Sequence, residues 1–248
     1  MNFNYNLPIK FNIPAVSFRS KGTIQNPGNK TVVDGFSTNP LYDKLSSKAE
    51  IELSINTNPK IKQILSEHNI PLEINIKELE NLKQGHLKTT RLIAAQIYSS
   101  LPNEVKKEIN LAELQEAAML HDYGKILIPD SILNKKGKLT PEEKEIMELH
   151  SELSYELLKN KGISEKTLNL IKYHHQNPIK TGYPKADKDF DYGIDSQILS
   201  AADKYTALRE KRSYKNPMGK YEALEIIAKD VNDGLISQDV FTALTKIT

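Results

Sequence analysis

The chain has 248 residues, with 34 basic and 32 acidic side chains, so its formal net charge is +2. That balance excludes a protein held on a nucleic-acid polymer by overall positive charge. The chain has no cysteine, which excludes disulfide frameworks, thiolate zinc sites and a cysteine nucleophile. Any metal site must therefore use histidine, aspartate and glutamate, and the six histidines become the informative residues.

The N-terminal segment differs from the rest of the chain. The first 45 residues hold four prolines, three glycines and seven asparagines, and they show no helical period. We predict an irregular or disordered tail over residues 1–45. The start lacks the basic and apolar regions of a secretory signal, and no stretch approaches the roughly 18 apolar residues of a membrane span. We therefore expect a cytoplasmic protein without a membrane span.

Helical patterns begin at about residue 46. Residues 46–75 are predicted to be a short helical lead-in, in which Pro59 occupies the first position of a helix. Residues 76–248 form the main domain, and its first element is predicted to be one long helix over Asn75–Ser100. Asn110 is expected to cap the next helix.

The second half of the main domain continues the helical pattern. Thr140 and Glu143 form a capping box, so a helix is expected to start at Pro141. Ser164 caps a helix that is predicted to reach His174 and His175. Further helices are predicted from Ser196 onwards, over Tyr221–Val231 and over Val240–Ile247. No stretch reads as a strand ladder, so the sequence predicts an all-α helical bundle.

Most of the histidines lie where a helical bundle could build a metal site. Five of the six accompany helices whose other periodic residues are apolar, namely His86, His121, His150, His174 and His175. Asp122 follows one of them, and Asp203 lies in the apolar stretch Leu199–Asp203. A single histidine of this kind is usually a satisfied core residue, but five with two aspartates are not explained that way. Inward-facing imidazoles and carboxylates are how helical bundles hold dinuclear metal sites, and a buried aspartate is costly without a cation.

The order of these residues resembles that of the HD superfamily of metal-dependent phosphohydrolases. Two sequence motifs narrow the resemblance to the HD-GYP subfamily, namely His121-Asp-Tyr-Gly-Lys125 and Gly182-Tyr183-Pro184. The similarity extends over roughly Glu78 to Ile247. It implies an HD-domain helical bundle and a catalytic domain over residues 76–248.

The resemblance also implies roles for individual residues. It implies a cyclic dinucleotide substrate, with cyclic di-GMP hydrolysed to pGpG and sometimes on to GMP. Asp122 would bridge two metal ions, commonly iron or manganese, and Lys125 would act beside the substrate phosphate. Tyr183, Arg212 and Lys215 would contact the phosphates. The implied metal ligands are His86, His121, Asp122, His150, His174, His175 and Asp203.

The chemistry of these residue types is compatible with the implied roles, and simpler explanations stay open for some. An imidazole and carboxylate shell without thiolates suits iron, manganese or similar divalent ions, and two such ions can activate a bridging water. Without the HD context, Lys125 would be a solvated lysine beyond a helix end. Arg212 and Lys215 would be surface charge, and Tyr183 could pack over a turn.

Three departures from the subfamily pattern concern substrate choice and rate. The segment Gln176–Lys180 lacks the usual acidic and arginine-bearing residues. Thr206 replaces an aspartate that helps to position the lysine. Leu82 stands where some members carry a glutamate that supports a third metal, so we predict two metal ions.

Two other functions fit the sequence. One is an HD phosphohydrolase acting on another cyclic dinucleotide or on a nucleotide phosphoester, which the altered Gln176–Lys180 segment favours. The other is a non-catalytic HD signalling module, which Thr206 favours and the complete ligand set opposes. A homodimer or a signalling partner is compatible with the chain, and nothing in the sequence specifies either.

Overall fold

The computed structural model describes residues 45, 47–187, 190–211 and 216–247. Over these residues the regular elements are helices, and the sole strand-like feature is an antiparallel bridge between His175 and Tyr183. The all-α prediction is confirmed. The tail predicted for residues 1–45 lies, apart from Leu45, outside the described residues.

The helices follow one another with short connections. In chain order they are α1 (Lys48–Thr57), α2 (Pro59–Glu67), α3 (Ile76–Gln84), α4 (His86–Ser100), α5 (Asn103–Lys106), α6 (Leu111–Leu120), a 3₁₀ helix (Tyr123–Leu127), α7 (Asp130–Leu133), α8 (Pro141–Leu158), α9 (Glu165–Lys172), α10 (Ile194–Arg209), α11 (Lys220–Asn232) and α12 (Gln238–Ile247). None of these helices is long and apolar enough to span a membrane.

Side-chain caps start several helices where the sequence predicted them. The Asn58 and Asn110 side chains accept hydrogen bonds from backbone N–H groups at the starts of α2 and α6. Thr140 and Glu143 form the complete capping box at the start of α8. These bonds satisfy N–H groups that have no partner within the helix.

The long helix predicted over Asn75–Ser100 is wrong, because the chain breaks at Gly85. Gly85 has φ −113° and ψ −92°, which is not helical, so α3 ends before it and α4 begins at His86. Glycine is a poor helix former, and a single non-helical residue is enough to redirect the axis. His86 is therefore the first residue of a helix, and its ring projects from a helix start.

The helix predicted to reach His174 and His175 ends earlier, at Lys172. Tyr173 leaves the helical conformation with φ −111° and ψ 18°. Consecutive residues of an α-helix point about 100° apart, so two adjacent histidines could not both face one centre from a continuing helix. The turn after α9 allows both imidazoles to lie on the same side.

The core lies between α4, α6, α8 and α10. Helix α4 packs against α6, α10 and α12, and the 3₁₀ helix packs against α8. Large apolar side chains at the centre are fully buried, among them Leu114, Ile126, Leu153 and Ile198. These packed elements carry the histidines and aspartates, so the site stands on a rigid scaffold.

Candidate metal centre

Seven predicted ligand side chains converge on one buried point of the bundle. They come from the start of α4, the end of α6, the middle of α8, the turn after α9 and the middle of α10. His121 and His174 are fully buried, and His175 is the most exposed of the set, at 26% of its side chain. The set is His86, His121, Asp122, His150, His174, His175 and Asp203.

The carboxylate of Asp122 lies between two groups of ligands. Its Oδ2 atom lies 3.4 Å from His86 Nε2 and 3.5 Å from His121 Nε2. Its Oδ1 atom lies 3.3 Å from His150 Nε2 and 4.0 Å from His174 Nε2. Each oxygen thus faces a different half of the site, which is the arrangement of a carboxylate that bridges two cations.

The remaining ligands complete the two halves. In one half, His86, His121 and Asp203 offer atoms that lie within 4.8 Å of one another, and in the other His150, His174 and His175 do the same. Two ligand atoms about 2.1 Å from one cation and at roughly tetrahedral angles lie about 3.4 Å apart. Three of the four spacings around Asp122, at 3.3, 3.4 and 3.5 Å, are close to that separation, and the fourth is 4.0 Å.

Three of the imidazoles are oriented by the backbone. In each, Nδ1 lies 2.6–3.0 Å from the carbonyl three residues earlier, and a carbonyl can only accept, so Nδ1 donates: His121 to Ala118, His150 to Met147 and His174 to Ile171. The Nε2 atoms are left to face the centre. Fixing the ring through its other nitrogen is how proteins prepare a histidine for a metal.

Burial and charge set which imidazoles carry a proton. Burial lowers the pKa of His150 to about 3, and burial with neighbouring imidazoles holds the pKa of His174 well below its usual value. Burial acts the same way on His121, but the carboxylates of Asp122 and Asp203 outweigh it and raise its pKa to about 10. The metal-free protein therefore holds His150 and His174 neutral and His121 protonated.

These side chains suit a bound cation better than they suit one another, because two of their nitrogen lone pairs face each other. The Nε2 atoms of neutral His150 and His174 face each other at 3.3 Å although both protons are committed to Nδ1. Nε2 of His121 is buried and faces two carboxylate oxygens, Asp122 Oδ2 at 3.5 Å and Asp203 Oδ1 at 3.7 Å. Opposed lone pairs are costly in a buried site unless a positive ion lies between them.

The Lys125 ammonium lies at the edge of this centre. Its Nζ donates a 2.6 Å hydrogen bond to Asp122 Oδ2. Burial opposes the negative charge of Asp122, but Lys125 and His121 together hold its pKa well below the usual range. Thr206, which stands where the subfamily has an aspartate, is buried, and its hydroxyl has no hydrogen-bond partner in the described part of the chain. Lys125 is thus held by Asp122.

The Tyr183 ring forms one wall of the site. It stacks on His175 with the ring centroids 4.6 Å apart. Gln176 holds the turn that carries it, because its Nε2 donates to the carbonyls of Gly182 (2.9 Å) and Pro184 (2.6 Å), on either side of Tyr183. Gln176 is itself buried, so the phenol is presented from a fixed loop.

A cleft of about 1140 Å³ opens from the metal ligands to the surface. Ligand pockets for drug-sized molecules commonly measure 300–1,000 Å³, so this cleft is large enough for a dinucleotide. Leu82, Tyr183 and Glu210 are among its lining residues. Lysines are the most frequent charged side chains in the lining, namely Lys125, Lys135, Lys138, Lys144, Lys204 and Lys211. The predicted phosphate contacts Arg212 and Lys215 lie outside the described residues.

The sequence did not predict the roles of two residues at the site, Gln176 and Glu210. Gln176 was noted only as a departure, although its position next to the paired histidines could have marked it as a loop anchor. Glu210 accepts a hydrogen bond from His86 Nδ1 at 2.9 Å. Its spacing of seven residues, or two helical turns, from Asp203 was the signal that it shares a face with a ligand.

Comparison with known proteins identifies the family to which the chain belongs. Residues 73–239, more than half of the chain, match the HD domain family. The chain is 38% identical over 142 residues to the cyclic di-GMP phosphodiesterase of Thermotoga maritima, covering 56% of this chain and 38% of that protein. It is 39% identical over 106 residues to 3'3'-cGAMP-specific phosphodiesterase 2 of Vibrio cholerae, covering 42% of this chain and 20% of that protein. A solved HDG"Y"P protein from Bdellovibrio bacteriovorus is 19% identical, with a TM-score of 0.49 and coverage of 65% of this chain and 51% of that one.

The chain belongs to the HD domain family, and the resemblance to its HD-GYP subfamily is confirmed. Membership implies dependence on a divalent metal, and the donor set described above fits one. The match spans less than two fifths of the length of these two curated relatives.

Proposed function

We propose that the chain is a metal-dependent phosphodiesterase that hydrolyses cyclic di-GMP to pGpG and sometimes on to GMP. The observation that carries this proposal is Asp122, whose two carboxylate oxygens face separate groups of imidazoles. The names of several relatives, including the Thermotoga maritima protein, support the same substrate.

The proposed cofactor is a pair of divalent ions, iron or manganese. His86, His121 and Asp203 would hold one, His150, His174 and His175 would hold the other, and Asp122 would bridge them. Two such ions supply an activated water and positive charge on the phosphate oxygens. A shell of imidazole and carboxylate without thiolates suits these metals. Leu82, an apolar residue of the cleft wall, offers no ligand for a third ion.

The proposed roles of the other residues follow from their places around the cleft. Lys125 carries its ammonium beside Asp122, where it can offset negative charge on the phosphoryl group or give a proton to the leaving oxygen. Tyr183 can bind a phosphate oxygen through its phenol. Arg212 as a planar fork and Lys215 as a point charge are proposed to hold the phosphates on the strength of the subfamily resemblance.

The charge of the cleft supports an anionic substrate. The lysine side chains in its lining outnumber the carboxylates of Glu78, Asp203, Glu210 and Asp230. Among the ligands, Asp122 adds one further buried carboxylate, which the cations would neutralise together with Asp203. A small phosphodiester fits this arrangement, and the overall net charge of +2 offers no reason to invoke a polymer.

Metal content and turnover on one sample test the proposal. Protein loaded anaerobically with Mn²⁺ or Fe²⁺ should contain two ions per chain and should linearise cyclic di-GMP, followed by liquid chromatography. Asp122→Ala should lose both metal and turnover. Asp233→Ala, an exposed aspartate at the end of α11, is the matched control and should keep both. Two bound ions without any turnover of cyclic di-GMP would contradict the proposal.

A second cyclic dinucleotide is the alternative that the observations favour. The loop from Gln176 to Lys180 departs from the subfamily, and the Vibrio cholerae relative is named as specific for 3'3'-cGAMP. Competition between the two dinucleotides in one reaction measures the ratio of kcat/KM directly. A ratio that favours 3'3'-cGAMP would replace cyclic di-GMP as the substrate, and a nucleotide phosphoester panel covers the remaining hydrolase alternatives.

The other expectations from the sequence stay predictions. A non-catalytic module would hold fewer than about one metal ion per chain, so the same metal measurement distinguishes it. A homodimer or a signalling partner, and the cytoplasmic location, need separate measurements of oligomeric state, binding and distribution.

A further inference from the structure

The ring of His86 is held differently from those of His121, His150 and His174. Those three imidazoles donate Nδ1–H to a backbone carbonyl three residues earlier. His86 is the first residue of α4, and the residue three positions before it belongs to α3, beyond the break at Gly85. The usual backbone acceptor is therefore replaced by a side chain.

That side chain is Glu210, which lies 124 residues away in sequence. Its Oε2 atom is 2.9 Å from His86 Nδ1, and a carboxylate can only accept there, so Nδ1 carries the proton. On the other side of the ring, His86 Nε2 faces the centre of the site and, without a metal, donates a 2.9 Å hydrogen bond to Asp203 Oδ1; a metal ion would take the place of that proton. Glu210 is thus on the far side of the imidazole from the metal position, where it can orient the ligand without binding the ion itself.

Both carboxylates come from α10 and its end. Asp203 lies inside α10, and Glu210 follows its last residue as the C-cap, with its N–H bonded to Thr206 O. Seven residues correspond to about two helical turns, so the two carboxylates fall on one face of the helix. The end of α10 thereby holds both nitrogens of the His86 ring.

We propose that Glu210 is a positioning residue that fixes the tautomer and rotation of His86 for the metal ion shared with His121 and Asp203. A carboxylate behind a metal-binding histidine raises the basicity of the ligand, and loss of such a partner typically weakens metal binding about 10–100-fold. The inference rests on the proposed dinuclear site and names a residue that the subfamily resemblance did not supply.

Three variants test this role by metal affinity, independently of turnover. Glu210→Ala removes the acceptor. Glu210→Gln keeps an amide oxygen that can accept from Nδ1–H. Glu225→Ala removes an exposed glutamate of α11 and serves as the matched control. Each protein is titrated with Mn²⁺ against a competing chelator, and bound metal is counted after equilibration at fixed free Mn²⁺.

The expected result is selective. Glu210→Ala should bind one of its two ions about 10–100-fold more weakly, whereas Glu210→Gln and Glu225→Ala should stay within a few-fold of wild type. The melting temperature of the metal-free proteins reports folding separately. Unchanged affinity for both ions in Glu210→Ala would overturn the proposal, as would Glu210→Gln binding as weakly as Glu210→Ala. A failure of the dinuclear site itself would appear in the wild-type titration, so the two failures are distinguishable.

Discussion

Replacing Gly124 by alanine measures how closely the 3₁₀ helix must lie against α8. A Cβ atom at this position would stand 2.2 Å from His150 O and 2.5 Å from Ser154 N. Ordinary contacts of a Cβ begin at about 3.4 Å, so the two elements would have to separate by about 1 Å. The Gly124 N–H also donates to Ser154 Oγ at 2.7 Å, and separation stretches this bond.

The separation acts on the metal centre because Asp122 and His150 lie on opposite sides of this contact. The 3.3 Å spacing between Asp122 Oδ1 and His150 Nε2 would exceed 4 Å after a shift of about 1 Å along their line. Overpacking of this kind costs about 1–3 kcal/mol of unfolding free energy, and a misplacement of about 1 Å lowers turnover by about 100-fold.

The assay combines urea unfolding, metal content and turnover for Gly124→Ala. The matched control is Gly219→Ala, where a Cβ meets no atom within 4 Å and φ is −62°. The control should lose at most about 1 kcal/mol through its position at the start of α11, and its metal content should not change. A Gly124→Ala protein with wild-type stability and two tightly bound ions would refute the reasoning.

Three further outcomes are expected. The metal-free protein should be most stable near pH 6.5, measured by urea unfolding in EDTA. Below that pH the unfolded chain takes up a proton on His150 that the folded protein, in which the pKa of His150 is about 3, does not bind. Above it the unfolded chain has released the proton of His121 while the folded protein keeps it, so the stabilisation declines with pH until the folded pKa of about 10 is reached. A steady rise of stability from pH 5 to 9 would contradict this. Gln176→Ala should raise KM about tenfold with metal content unchanged, because it frees the turn that carries Tyr183; loss of metal instead would show that the loop is part of the metal site. Asn58→Ala should lower the unfolding free energy by about 1–3 kcal/mol in urea unfolding, since this side chain caps α2 and also donates to the backbone and carboxylate of a glutamate in α8, and an effect below 0.5 kcal/mol, as expected for an exposed asparagine, would contradict it.

Short-range sequence patterns, such as capping residues and apolar periodicity, predicted most of the helices. A capping residue such as Thr140 acts on N–H groups within one turn, so its effect is readable from neighbouring residues. The resemblance to the HD-GYP subfamily, carried by His121-Asp122 and the order of the other histidines up to Asp203, implied which side chains would meet. Burial and neighbouring charges then set the pKa values of these residues, and both depend on the three-dimensional surroundings.

The features that the sequence did not predict depend on contacts between segments that are distant along the chain. The break at Gly85 and the exit from α9 at Tyr173 alter ring directions, and an apolar period does not show either. Glu210 meets His86 across 124 residues, and Gly124 is required by the approach of α8 rather than by its own conformation. Such pairings follow from tertiary packing, which single-sequence periodicity does not contain.

Tyr123 stands in the chain between Asp122, a proposed metal ligand, and Gly124, which makes the close contact with α8. This buried side chain donates its hydroxyl proton to the carbonyl of Leu45, and the lead-in helices α1 and α2 pack on α8. One hydrogen bond therefore ties Leu45 to the residue next to Asp122, the carboxylate proposed to bridge the two ions. Tyr123→Phe removes that bond with almost no change in side-chain volume, so it measures the contribution of the hydrogen bond separately from the packing of the ring.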